Sequence, residues 1–346
     1  MNVRDEISLG SIYIGTLIGA GFASGQEIMN FFTVYGKQGL LGIIMASILF
    51  FILGYFIFRE SIRSQSQCVR DILLPVAGKT LMFFFDILVD IFCLAGYYIM
   101  LSGSGAVLSE SMSLNYMWMI VLLSILIISC LKREVRGLAD FNKLMVTIMI
   151  IITFLIGFVC FKNNPGIFRD TKILSNNKKG WFISSIIYVS YNITLALVVL
   201  ASLGTYTTKP SVALGAAAIG SSGLMVMAIL IWFITWANYE SLFGVQIPLL
   251  WVAQQNSQVL YLTSIVVLLS AMLSTAIGLG FSFTRGISRR LGIKYQRALN
   301  FLFIGIPLTK YSFTGLIKQI YPLFGIIGIF FGILLVIRRF LSIKRE

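Results

Sequence analysis

Apolar runs of membrane-crossing length follow one another along almost the whole chain. A helix needs about 20 mostly apolar residues to traverse the hydrocarbon core of a bilayer. Ten such segments are expected, over about 7–34, 40–58, 80–108, 116–131, 137–161, 180–204, 210–238, 258–282, 298–312 and 319–337. The ninth is short and contains Pro307, and 247–257 (IPLLWVAQQNS) reads as a re-entrant or interfacial helix. The connections are short, so residues 1–346 are expected to form a single all-α integral membrane domain with no separate soluble unit.

Charge supports the same reading. The 27 Lys and Arg against 13 Asp and Glu give a net +14, which in a soluble chain would suggest nucleic acid. Here 58% of residues are hydrophobic and only 12% charged, and the basic residues fall between the apolar runs. With the N-terminus inside, nineteen Lys and Arg lie on inner segments and eight on outer ones. That asymmetry places both termini in the cytoplasm. The basic outer loop at 162–179 is the exception, and it has no account. The first apolar stretch is too long and too glycine-rich for a cleaved signal, so it is expected to remain as a span.

The chain has no histidine, and Cys68, Cys93, Cys130 and Cys160 are scattered. That leaves no zinc spacing and no disulfide framework, and it removes the usual general base. With no phosphate loop and no repeated Asp-rich motif, enzyme chemistry is disfavoured and no cofactor is expected. Nothing resembles a channel selectivity filter.

Two spans carry unusual polarity. The first reads ISLGSIYIGTLIGAGFASGQEIMNFF, with Gly19, Gly21 and Gly25 interleaved with Ser24, Gln26 and Glu27. Glycines in membrane helices often mark a packing face. Three in seven residues beside an ionisable Glu favour an unwound stretch lining a polar cavity. The sixth span has a polar centre, Ser190-Tyr191-Asn192-Ile193-Thr194. An interhelical hydrogen bond would explain it as well as a break would. Its place at the head of a second group of five favours the break, because matching interruptions in two halves point to a transporter site. An odd number of spans per half inverts the second half, giving repeats over about 7–161 and 180–338 with helices 1 and 6 discontinuous.

The GAGFASGQE segment (Gly19–Glu27) is similar to that of the YkvI-type bacterial membrane proteins, classed as amino acid permeases, and that resemblance runs along the whole chain. More broadly, the 5+5 layout resembles the LeuT-fold, or amino acid–polyamine–organocation, superfamily of secondary transporters. Sodium-coupled members carry Gly-x-x-aliphatic-Gly-x-Gly in the first span, matched here by Gly15, Ile18, Gly19 and Gly21. Their eighth span carries small-x-x-hydroxyl-hydroxyl, matched by Ala271, Ser274 and Thr275. Positions i, i+3 and i+4 share one helix face, and oxygen ligands suit a hard cation. The resemblance therefore implies a sodium ion held by the carbonyls of Gly15 and Ile18 with Ala271, Ser274 and Thr275.

The resemblance also implies that a solute lies on the freed backbone of Gly19, Ala20, Gly21, Phe22, Ala23 and Ser24. Tyr98, second of the pair Tyr97-Tyr98 in the third span, would contact a substrate carboxylate. Tyr191 and Asn192 would face it from the sixth span. Freed N–H and C=O groups together complement a zwitterion, hence an amino acid. Phe22 stands where the broad family carries Asn, which argues against a second sodium site. The sixth span also lacks the family's glycine-rich break.

Three acids remain. Glu27 follows the break and is expected to tie the unwound backbone or gate the cavity rather than touch the solute, with proton coupling through Glu27 or Asp90 left open. Asp86 and Asp90 lie four residues apart on one face and serve either as a proton relay or as structural partners, Asp86 with an inner base such as Lys143. The expected function is a sodium-coupled secondary active transporter of an amino acid in the bacterial cytoplasmic membrane. A proton-coupled permease, or a non-transporting amino acid sensor on the same scaffold, stays open. No arginine lies near the break to serve an extra acidic group, and no nucleic acid partner is expected.

Overall fold

The computed structural model describes residues 3–112, 114–163, 180–243, 245, 247–304 and 306. The end of the expected ninth span, the whole of the tenth and most of the basic loop 162–179 lie outside them. Among the described residues the secondary structure is helical throughout.

The first span begins as α1 (Val3–Leu17), with Asp5 and Glu6 in its first turn, where acids suit the helix dipole. It stops where the sequence turns glycine-rich. Gly19 is extended (φ −85°, ψ −173°) and caps a new short helix, α2 (Ala20–Ala23). Gly25 then takes a left-handed conformation (φ +81°) ahead of α3 (Gln26–Phe31), a geometry that a residue with a Cβ adopts at a cost. One span is thus cut into three pieces.

The other long elements are α4 (Lys37–Ser64), α5 (Val69–Met112), α6 (Tyr116–Leu131), α7 (Glu134–Asn163), α8 (Gly180–Ala201) and α9 (Val212–Ala237). They are followed by α10 (Pro248–Asn256), α11 (Gln258–Leu291) and the single turn α12 (Tyr295–Ala298). Six helices, α4, α5, α7, α8, α9 and α11, are long and apolar enough to cross a membrane, and α6 is a shorter apolar one. α5 bends at Gly78 (φ +75°, ψ +167°), three residues after Pro75, as helices do where proline removes a backbone donor. The nine-residue α10, with proline in its first turn, occupies the segment expected to be re-entrant or interfacial.

The helices form a centre and a rim. The apolar windows of α8 and α11 are 78% and 72% buried, against 17% for α5, so α8 and α11 are inner helices and much of α5 is peripheral. The outward side chains of α5 and α6 include Phe84 (64% exposed) and Trp118 (70% exposed), as suits contact with lipid. α1 packs on α9, α7, α11 and α8, while α5 lies along α11, and α4 along α8 and α9. The first span therefore runs through the middle of the bundle.

The sixth span departs from expectation. α8 is one uninterrupted helix from Gly180 to Ala201, so it is not broken at 190–194. The reason is local. Ser190 Oγ donates to Ile186 O at 2.7 Å and Asn192 Nδ2 to Tyr188 O at 3.0 Å, each one turn back. Polar side chains that satisfy themselves on their own helix remove the need for an opening, and no glycine lies between Gly180 and Gly204 to weaken it.

Candidate ion and solute site

The best-formed polar cluster lies where α1 ends. Gly15 O and Ile18 O, in the last turn of α1 and just beyond it, face α11. Thr275 Oγ1 sits 3.3 Å from Gly15 O, 3.3 Å from Ile18 O and 3.1 Å from Ala271 O. A hydroxyl has one proton to give, yet three carbonyl oxygens surround it. Ser274, one residue earlier on α11, is hydrogen-bonded to Asn142 Oδ1 of α7. Thr275, Ser274, Ala271 and Asn142 are all at most 1% exposed. The cluster is therefore a dry convergence of uncharged oxygens with too few protons, which fits a small hard cation.

Gly15 makes this convergence possible. A Cβ there would fall 1.8 Å from Asn142 Oδ1 and 2.2 Å from Ser274 Oγ, so α1, α7 and α11 meet only because the side chain is absent. Asn142 was missed in the sequence, where it sits in the charged stretch Glu134–Lys143. Its amide nitrogen donates back to Leu138 O at 2.9 Å, which turns Oδ1 toward the cluster. A lone Asn two turns into α7, at the edge of its apolar run, is the available signal.

Beyond the cluster, the break arranges the other sequence-singled residues. A helix start leaves its first amides without intrahelical partners, and α2 starts directly after Gly19. Ala20, Phe22 and Ala23 are buried, whereas Gly19 and Gly21 are partly accessible. Ser24 Oγ donates to Gly21 O at 2.9 Å, and Leu249 N of α10 donates to Ser24 O at 2.9 Å, so α10 clasps the span just after α2. Glu27 folds back over the break, because a Cβ on Gly21 would fall 2.2 Å from Glu27 Oε1. Its Oε2 is buried and accepts no hydrogen bond among the described residues.

Tyr191 of α8 stands beside Glu27. Asn192 is 2% exposed and spends its amide on its own helix. From α5, the side chain nearest Gly19 is that of Met100, whose Cε is 3.9 Å from where a Gly19 Cβ would be. Tyr98 is buried and donates to Leu302 O at 3.1 Å, with the Tyr97 ring 5.1 Å from its own.

The two α5 acids are committed to arginines. Asp86 pairs with Arg70 on the same helix, not with Lys143, because the bend at Gly78 folds the first part of α5 back within reach. Asp90 pairs with Arg290 of α11 at 2.7 Å, and Asp71 with Arg289. Arg70, Asp86, Asp90, Arg289 and Arg290 line a cavity of about 290 Å³ that also touches Val198 and Ser202 of α8 and Ser282 and Gly286 of α11. The cavity opens at the end of the bundle where α1 begins.

This architecture has close counterparts. No family model matches the chain. Two proteins of Bacillus subtilis (strain 168) are similar over nearly its full length: the membrane protein YkvI, described as uncharacterised, at 25% identity over 94% of each chain, and the uncharacterised protein YyaD, at 26% over 96% of each. Solved structures superpose over the same extent. MhsT in complex with L-phenylalanine gives a TM-score of 0.66 at 16% identity, covering 96% of this chain and 88% of its own. A Na⁺-coupled sialic acid symporter gives 0.69 at 13% identity, over 93% and 76%. Mhp1, a nucleobase-cation-symport transporter, gives 0.61 at 12% identity, over 95% and 77%. The chain has the LeuT fold. In that frame the cut first span and the inner helix α11 lie together at the middle of the bundle, and the Thr275 cluster joins them.

Proposed function

We propose that this LeuT-fold chain is a secondary active transporter that moves a small zwitterionic solute, an amino acid in the first instance, together with sodium by alternating access. The observation that carries the reading is the Thr275 cluster. Three carbonyl oxygens and two hydroxyls from α1 and α11, supplemented by Asn142 Oδ1, converge with too few protons to satisfy one another. Sodium supplies the missing positive charge without requiring a carboxylate, and it ties the end of α1 to α11. Its departure would free the two helices to separate, which is the coupling that a symporter needs. Because the solute would lie on the backbone immediately after Ile18, ion and solute would order the same break.

In this reading the chain is built from two inverted repeats, about 7–161 and 180–338, in the bacterial cytoplasmic membrane with both termini cytoplasmic. The 290 Å³ cavity between α5, α8 and α11 is then the inward path. The test is thermal unfolding of detergent-purified protein against the twenty amino acids, in sodium and in matched potassium. A ligand at 100 times its Kd adds about 2.7 kcal/mol when it binds only the folded state. Stabilisation by one class of amino acid in sodium alone is the expected result. Equal stabilisation in both salts would remove sodium from the reading.

A further inference from the structure

The ion cluster leaves one group near the break unused. Glu27 lies on α3, and Phe31 follows four residues later on the same face. Tyr188 and Tyr191, three apart on α8, close the other side. The Phe31 ring is 5.4 Å from that of Tyr188 and 5.8 Å from that of Tyr191, and the two tyrosine rings are 5.6 Å apart. The Tyr191 hydroxyl lies beside the carboxylate as its polar neighbour, and Glu27 Oε2 completes no hydrogen bond among the described residues. No ion pair among the described residues includes Glu27. A carboxylate at this depth is costly without a counter-charge, and every other membrane-embedded acid discussed above has its arginine.

We infer that Glu27, walled by Phe31, Tyr188 and Tyr191, receives a positively charged nitrogen of the solute, so that the solute class is amino acids with a cationic side chain. The inference rests on the reading of the break as an amino acid site. The freed backbone there complements the α-amino and α-carboxyl groups of any amino acid. Glu27 adds a third pole, and it is negative. A carboxylate beside Tyr191, with the Phe31 and Tyr188 rings packed on that of Tyr191, forms a receptor for an ammonium stripped of water, because ring faces attract cations while the carboxylate supplies the charge-assisted hydrogen bond. The Glu27 carboxylate rests against Gly21, so a cation bound to it lies next to the backbone that would hold the rest of the solute.

The test compares L-lysine with L-norleucine, which has the same chain but no side-chain ammonium, by thermal stabilisation of the full-length protein in sodium. Putrescine serves as a diamine without a carboxylate. Wild-type protein is expected to prefer lysine by about tenfold or more, a difference of about 1.4 kcal/mol. Glu27→Gln, a near-isosteric change, should abolish that preference, read as the ratio of lysine to norleucine affinity within the same variant. Tyr191→Leu, which keeps Glu27 but removes one wall, should reduce the lysine preference severalfold and guards against a folding defect peculiar to the first variant.

Norleucine binding as tightly as lysine, or a lysine preference that survives Glu27→Gln, would overturn the inference while the amino acid reading stood. Putrescine binding through Glu27 with no response to any amino acid would sustain cation docking and overturn the amino acid reading. No response to any of these ligands would overturn both.

Discussion

The first and sixth expected spans carry comparable polarity at mid-depth and take opposite backbones. α1 gives way at Gly19 and resumes as two short pieces, while α8 runs through Ser190, Asn192 and Thr194 without interruption. Hydroxyl and amide side chains have somewhere to go inside a helix, namely the carbonyl one turn back, and Ser190 and Asn192 take it. Glycines have no side chain with which to repair or fill the helix. Where they cluster, the neighbours close in: Asn142 and Ser274 against Gly15, and Glu27 against Gly21. Absent side chains open this protein, and polar ones do not.

That contrast is broken most forcefully at Gly15. Gly15→Val would drive a side chain into Asn142 and Ser274. It should abolish sodium-dependent stabilisation and cost about 1–3 kcal/mol of stability from overpacking, read by thermal unfolding in sodium and potassium. Gly21→Leu should come next. Its side chain displaces Glu27 and fills the approach to the break, so solute binding should be lost while the sodium response persists, as ligand titration in both salts would show.

Thr275→Val removes the hydroxyl at the centre of the cluster at nearly constant shape. Sodium dependence should fall at least about tenfold, with a stability change of about 1 kcal/mol. Asp90→Asn loosens the pair between a buried Asp90 and an Arg290 that is one-third exposed and should cost about 1–3 kcal/mol, leaving the sodium midpoint unmoved. The smallest effect is expected on α8: Asn192→Leu should leave ion and solute affinities within about twofold, because its amide serves its own helix. A large affinity loss in that variant would bring Asn192 itself into the site and undo the comparison.

The sequence made some of this legible. Spans appear as runs of apolar residues because length and composition alone decide whether a helix can cross. The interruption of the first span showed in its glycine density. The oxygens of Gly15 and Ile18, and those of Ala271 and Thr275, could be grouped because both segments resemble the motifs of sodium-coupled LeuT-fold transporters, the i, i+3 and i+4 spacing adding only that Ala271, Ser274 and Thr275 share one helix face. What stayed hidden depended on how helices meet. Asn142 joins the cluster through the packing of α7 on α1 and α11, which no spacing reveals. Asp86 finds Arg70 because α5 bends at Gly78, and Asp90 finds Arg290 across two helices. The continuity of α8 is not legible, because polar side chains look the same in a sequence whether they point to a cavity or, as Ser190 and Asn192 do, to their own backbone.

The bend at Gly78 has a mechanical consequence. A straight helix of the 44 residues of α5 would be about 66 Å long, roughly twice the hydrocarbon thickness. The glycine instead makes its first turns a short arm on a joint. Two braces fix the angle of that arm: Arg70 to Asp86 across the joint, and Asp71 to Arg289 on α11. Both arginines are at least one-third exposed, so dissolved salt reaches them and weakens the bracing. The dry cluster around Thr275 has no such access. Ionic strength thus becomes a dial for the stiffness of this elbow, separate from the sodium that occupies the centre of the bundle.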